Sequence, residues 1–159
     1  MRFALLDRIS KIEPGQRIIA EKSPSLSEEY LQDHFPNFPV MPGVLMLEAM
    51  YQASAWLLRV TDDYADSLVL LVEAKNIKYS GLVKPGETLE IESQIEKREG
   101  NRSWFKAQGR RDGEIVVRAK LLIEGSSLDN DQPGNQSTNR GIVESLKKEF
   151  EVLYPSLAV

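Results

Sequence analysis

The stretch that decides the fold is His34-Phe35-Pro36-Asn37-Phe38-Pro39-Val40-Met41-Pro42-Gly43-Val44-Leu45-Met46-Leu47-Glu48. Proline recurs at 36, 39 and 42, which forbids regular helix and favours an extended, stiff segment that holds His34 in a narrow range of positions. At Gly43 the pattern reverses. Gly43–Val60 has helix formers throughout and no internal Pro or Gly, and Pro42 stands where a missing N–H costs least. This helix is apolar nearly all round, so it is expected to be buried on most sides rather than to lie on the surface. His34 is the only histidine in the chain, and Glu48 is the only charged residue between His34 and Arg59.

Working outward, turn signals divide the rest of the chain. Ala4–Glu13 and Gln16–Lys22 read as two strands joined at Pro14-Gly15. Ser23–Asp33 is polar, with Ser25 or Ser27 able to cap a short helical turn, and Thr61–Asp66 is a polar loop. Leu68–Tyr79, Thr88–Arg98, Ser103–Arg111 and Ile115–Glu124 read as long strands, separated by Lys84-Pro85-Gly86, Gly100-Asn101 and Asp112-Gly113. The last two are two-residue hairpin signals. The expected architecture is α+β, with about six mostly antiparallel strands curled around one central helix.

Ser126–Asn139 breaks the alternation with Ser, Asn, Asp, Gln, Pro and Gly and reads as a flexible linker. Ile142, Leu146, Phe150 and Leu153 then recur at helical spacing, which predicts a terminal amphipathic helix docked on the body or on a partner. The expected organisation is a domain over 1–125, a linker over 126–140 and a helical tail over 141–159.

The chain has 159 residues, 42% hydrophobic and 28% charged, which suits one globular domain with an appendage. Zero cysteines exclude a disulfide framework, a thiolate nucleophile and zinc-thiolate sites, and one histidine excludes multi-histidine metal sites. A net charge of −4 does not suit nucleic acid. No apolar run reaches the roughly 18 residues of a membrane span, and Asp7 and Arg8 arrive too early for a signal peptide, so a cytoplasmic protein is expected.

A helix N-terminus offers free N–H groups and the positive end of the macrodipole. Gly43 there would let a thioester oxygen approach the backbone, and one such donor is typically worth about 3 kcal/mol of barrier. The proton next to the carbonyl then becomes removable, and histidine is the natural base. Glu48, flanked by Leu47, Ala49 and Met50, is expected to be buried, to resist ionising and so to donate a proton. Gln52, one turn later on the same face, would orient that carboxyl group. Taken singly, each has a plainer reading: a structural loop histidine, a carboxylate bonded to backbone, a merely rigid proline loop. Their conjunction within 14 residues of one another is what favours an enzyme.

The run HFPNFPVMPGVLMLEAMYQ resembles the motif of the β-hydroxyacyl-[acyl-carrier-protein] dehydratases, the FabZ and FabA families of the hotdog fold, close to HFPGHPxxPGVLxxEAMxQ. The resemblance extends from about Phe3 to Glu124, with LLDRISKIEPGQRI as the opening hairpin and KYSGLVKPGETLEI as the strand after the helix. It implies that His34 is the catalytic histidine, Glu48 the catalytic acid, Gly43 the backbone donor to the thioester oxygen and Gln52 the glutamine behind the acid. It implies dehydration of a (3R)-3-hydroxyacyl chain on acyl carrier protein to the trans-2-enoyl form, in fatty-acid or related lipid biosynthesis, with no cofactor and no metal. It further implies a homodimer in which His34 faces Glu48 of the partner chain, with a trimer of dimers (a hexamer) as the larger assembly. Asn37-Phe38 stands where the FabZ pattern has Gly-His; asparagine tolerates positive φ, so the turn is expected to survive. VMPG and Tyr79-Ser80-Gly81 lean toward FabA, whereas Glu48 and the EAM step lean toward FabZ, so a plain dehydratase is expected rather than an isomerase.

Two other readings stay open: a hotdog acyl thioesterase, which would release free acid, and a non-catalytic relative that binds acyl carrier protein. Lys75, Lys78 and Lys84 are candidates to meet the acidic carrier, or else serve only for solubility. Leu45, Met46 and Met50 either line an acyl tunnel or are plain core.

Overall fold

The computed structural model describes residues 3–128 and 136–155. Six strands, β1 (Arg8–Glu13), β2 (Arg17–Lys22), β3 (Leu68–Tyr79), β4 (Leu89–Glu99), β5 (Arg102–Arg111) and β6 (Glu114–Ser126), form one sheet in the order β1-β2-β4-β5-β6-β3. Every pairing is antiparallel. Three helices accompany them: α1 (Tyr30–Asp33), α2 (Gly43–Thr61) and α3 (Gln136–Leu153).

Hairpin chemistry fixes the register. Asp112 and Gly113 both take positive φ (52° and 80°), the geometry a two-residue turn needs to match the strand twist, and they set Arg111 opposite Glu114. Bulges interrupt β1, β3 and β4, at Ile9/Lys11, Leu71/Glu73, Lys75/Lys78 and Ile95/Lys97. They sharpen the twist that lets a six-stranded sheet curl. The curled face receives α2, which lies across β2, β3, β4, β5 and β6. This is the hotdog arrangement.

Pro42 caps α2 with φ −56° and ψ 139°, and its carbonyl accepts the N–H groups of Leu45 (2.9 Å) and Met46 (3.2 Å). The helix ends where Asp63 and Tyr64 turn to positive φ, and Asp62 accepts both arms of the Arg98 guanidinium at 2.9 and 2.7 Å. Thr61 Oγ1 also accepts the Gly15 N–H at 2.8 Å, tying the β1–β2 turn to the end of α2. Small residues at Ala49, Ala53 and Ser54 let the helix sit close on the sheet, and Met50, Leu57, Ile18, Leu89, Ile91, Phe105, Leu121 and Ile123 complete a dry core. One polar pair lies inside it. Ser54 Oγ and Ser93 Oγ are 2.6 Å apart and fully buried, and Ser54 also donates to the Met50 carbonyl. Among the described residues no helix is long and apolar enough to cross a membrane.

Two expectations are corrected. The first strand is shorter than Ala4–Glu13, because residues 3–5 run beside α2 before the Asp7 N–H reaches the Glu21 carbonyl: the Leu5 N–H goes to Gln52 Oε1. The linker expected over 126–140 loses both ends. Ser126 closes β6 and α3 already begins at Gln136, while residues 129–135 lie outside the described residues. The first turn of α3 is polar throughout, so hydrophobic spacing gave no sign of it. From there α3 docks through Leu146, Phe150 and Leu153, followed by Tyr154, with the Phe150 ring tilted against Trp56 at 5.8 Å and Lys147 5.3 Å from the Tyr64 ring.

Replacing Ser54 with alanine leaves the buried Ser93 hydroxyl without its partner, and urea denaturation should show a loss of about 1–3 kcal/mol. The double variant Ser54→Ala/Ser93→Ala should lose clearly less than the sum of the single changes, because both polar groups are then gone.

Candidate active site

Elements from both ends of the chain converge on one face of α2. Glu48, Tyr51, Gln52, Ala55, Trp56 and Arg59 floor a cavity of about 310 Å³ that Phe3, Ala4, Leu146 and Glu149 wall in. Glu48 is half-buried rather than buried as expected, because its face of the helix turns away from the sheet. Its Oε1 accepts a hydrogen bond from Gln52 Nε2 at 3.0 Å. Gln52 also donates to the Phe3 carbonyl (3.1 Å) and accepts the Leu5 N–H (2.8 Å). One amide thus pins the N-terminal segment and the Glu48 carboxyl group together, as the one-turn spacing predicts.

Gly43 is the first residue of α2, so its own N–H has no acceptor within the helix. The space beside its Cα is not open. A Cβ there would stand 3.0 Å from Tyr79 Cε1, so the glycine is what lets the Tyr79 ring lie against the helix N-terminus. Partial desolvation pushes the Tyr79 phenol above its ordinary range, although the residue stays 45% exposed. Spacing along the chain could not connect Tyr79 to Gly43, and neither of them lines the cavity at Glu48.

His34 ends α1, and its N–H donates to the Tyr30 carbonyl at 3.1 Å. Its ring meets Phe35 edge-on at 4.5 Å. The tight turn after it closes with the Phe38 N–H on the Phe35 carbonyl at 2.8 Å. The positive φ falls on Phe35 (50°) and not on Asn37, an uncommon conformation for so bulky a residue. Just before α1, Lys22 Nζ lies 2.6 Å from Glu28 Oε1, with the two side chains 8% and 19% exposed. His34 does not line the cavity that holds Glu48.

The remaining candidates separate. Met46 and Met50 are core, and Leu45 packs half-buried against it. Lys75 lies 4.2 Å over the Trp104 ring, and Lys78 borders a groove on the sheet with Lys106, Arg118 and Lys120. Lys84 instead lies 5.3 Å over Phe38, in the turn that follows His34. Sequence reasoning missed Phe3, Arg59, Leu146 and Glu149 as neighbours of Glu48. Arg59 follows the i, i+4, i+7, i+8, i+11 stripe from Glu48, which was legible; the contributions of residue 3 and of α3 are long-range and were not.

Comparison with known proteins sharpens the reading. The profile of the FabA-like domain matches residues 1–120. A 3-hydroxyacyl-[acyl-carrier-protein] dehydratase FabZ of Bacillus velezensis is 35% identical over 121 residues, covering 76% of this chain and 86% of the relative. That of Magnetococcus marinus is 40% identical over 122 residues, covering 76% and 80%. Among solved structures, the dehydratase heterocomplex ApeI:P from Xenorhabdus doucetiae superposes with a TM-score of 0.65 at 18% identity, over 79% of this chain and 84% of that one.

Removing the Gln52 amide should cost about 1–3 kcal/mol, since the Leu5 N–H then loses its acceptor. Gln52→Leu is expected to lower the urea midpoint and to speed amide hydrogen exchange at Leu5 while leaving exchange in β4 and β5 unchanged.

Proposed function

This chain belongs to the FabA-like domain family, and from that premise we propose that it dehydrates 3-hydroxyacyl-[acyl-carrier-protein] to the trans-2-enoyl thioester. The observation that carries the reading is Glu48: the one carboxyl group of α2, held by Gln52 at the wall of a cavity, within a domain matched over residues 1–120.

In the proposed reaction the Gly43 N–H, at the positive end of α2, hydrogen-bonds the thioester oxygen and stabilises the charge that builds there. His34 removes a proton from C2. The C2=C3 double bond forms as the C3–O bond breaks, and Glu48 gives its proton to the departing hydroxyl, which leaves as water. Proton transfer from His34 back to Glu48 resets both groups. The same groups run the reaction in reverse as a hydratase.

We also propose that His34 of one protomer works with Glu48 of a second. Two features support this. His34 is absent from the cavity that holds Glu48, and β3 is an edge strand paired on one side only, with Leu70, Val72, Ile77 and Tyr79 exposed along it. An open edge with exposed apolar side chains is suited to strand pairing with a second copy. A homodimer, or three such dimers together, would complete the site.

Turnover of a 3-hydroxyacyl carrier substrate tests the assignment. His34→Ala and Glu48→Gln should each lower kcat by about 10²–10⁴-fold with folding intact. Mixing the two inactive variants should restore part of the activity, because a mixed dimer regains one site with both wild-type groups. Unchanged turnover in both single variants would end the proposal.

A further inference from the structure

Arg59 lies eleven positions after Glu48, about 16 Å of helix at the usual rise. Gln52, Ala55 and Trp56 fill the stripe between them, so the cavity runs lengthwise along α2 away from the proposed reacting carbons. Its far part is built differently from its near part. Leu146 and Glu149 of α3 form the wall there, and α3 lies wholly beyond residues 1–120 that match the family domain. The guanidinium of Arg59 lies over the Trp56 ring at 5.0 Å, and its Nε is buried without a hydrogen-bond partner among the described residues. Burial draws the Arg59 pKa down, and the Tyr51, Glu149 and Tyr64 groups around it act in the opposite direction. A buried N–H with no acceptor costs free energy that a ligand acceptor would recover.

We propose that the α2–α3 end of the cavity is the subsite for the far end of the acyl chain, and that Arg59 there selects chains ending in a hydrogen-bond acceptor such as a hydroxyl. The inference rests on the dehydratase reading, which sets the thioester end of the chain at Gly43 and its C3 hydroxyl at Glu48. The middle of the cavity, at Ala55 and the Trp56 ring, then takes the methylene chain. α3 caps the channel, so selectivity resides in the segment this chain adds to the family domain.

The test compares kcat/KM for two 3-hydroxyacyl pantetheine thioesters of equal length, one ending in a hydroxyl and one in a methyl group. Wild type should favour the hydroxyl-ended chain by about tenfold, the worth of one charge-assisted hydrogen bond. Arg59→Met, which keeps an apolar stem against Trp56, should bring that ratio to one or below, and Arg59→Lys should restore part of it. A wild-type ratio near one, or a ratio unchanged in Arg59→Met, overturns the inference. A four-carbon substrate, too short to reach Arg59, separates the two claims: if wild type fails to dehydrate it, the reaction assignment falls instead. The subsite is then judged by tryptophan-fluorescence titration with the two corresponding enoyl thioesters, where about tenfold tighter binding of the hydroxyl-ended chain upholds it and equal binding overturns it.

Discussion

A helix that is apolar on nearly every side needs more cover than one sheet can give. The inner face of the curled sheet buries Ala49, Met50, Ala53, Ser54 and Leu57 of α2, and that contact is the body of the core. The opposite stripe, from Glu48 to Arg59, is left for other parts of the chain. The N-terminal segment takes one portion through the Gln52 amide, and α3 takes another through Trp56 and Phe150. What they leave uncovered is the cavity at Glu48. The site is thus a by-product of how α2 is covered, and its polar groups are those of the stripe the sheet does not reach.

Rigidity is concentrated where the proposed chemistry needs it. Prolines at 36, 39 and 42 restrict the segment between the histidine and the helix, and the left-handed Phe35 fixes the turn that follows His34. Lys22 of β2 and Glu28, just before α1, tie the chain that leads into that segment to the sheet, largely out of solvent. A buried pair of this kind is weak evidence of net stability, but breaking one partner is strongly unfavourable, which suits it to holding one arrangement in place. At Gly43 the constraint is steric: the ring of Tyr79 uses the room that a side chain would take.

Local signals made most of the fold legible. Leu68–Tyr79 was read to the residue, and α2 to within one, because turn residues and the Pro42-Gly43 step mark their ends chemically. α3 was read from Ile142 onward but begins at Gln136, since a polar first turn carries no periodicity. The first strand was read too long because Leu5 and Leu6 are buried without being in the sheet, and apolar character alone does not distinguish the two. Within the site, the Glu48–Gln52 bond followed from spacing on one helix. The approach of Tyr79 to Gly43, and of Phe3, Leu146 and Glu149 to the cavity, depends on tertiary packing between distant segments. The positive φ at Phe35 instead of Asn37 has the same origin: surrounding structure overrides the local preference of asparagine.

The solitary imidazole has an electrostatic corollary. Histidine is the side-chain type that ordinarily changes charge near neutrality, and this chain has one of them against 44 Asp, Glu, Lys and Arg side chains. Protonating it moves the formal charge only from −4 to −3. The long-range field that any charged partner meets is therefore set by the other ionisable groups, and a proton on that one ring acts only on its own surroundings.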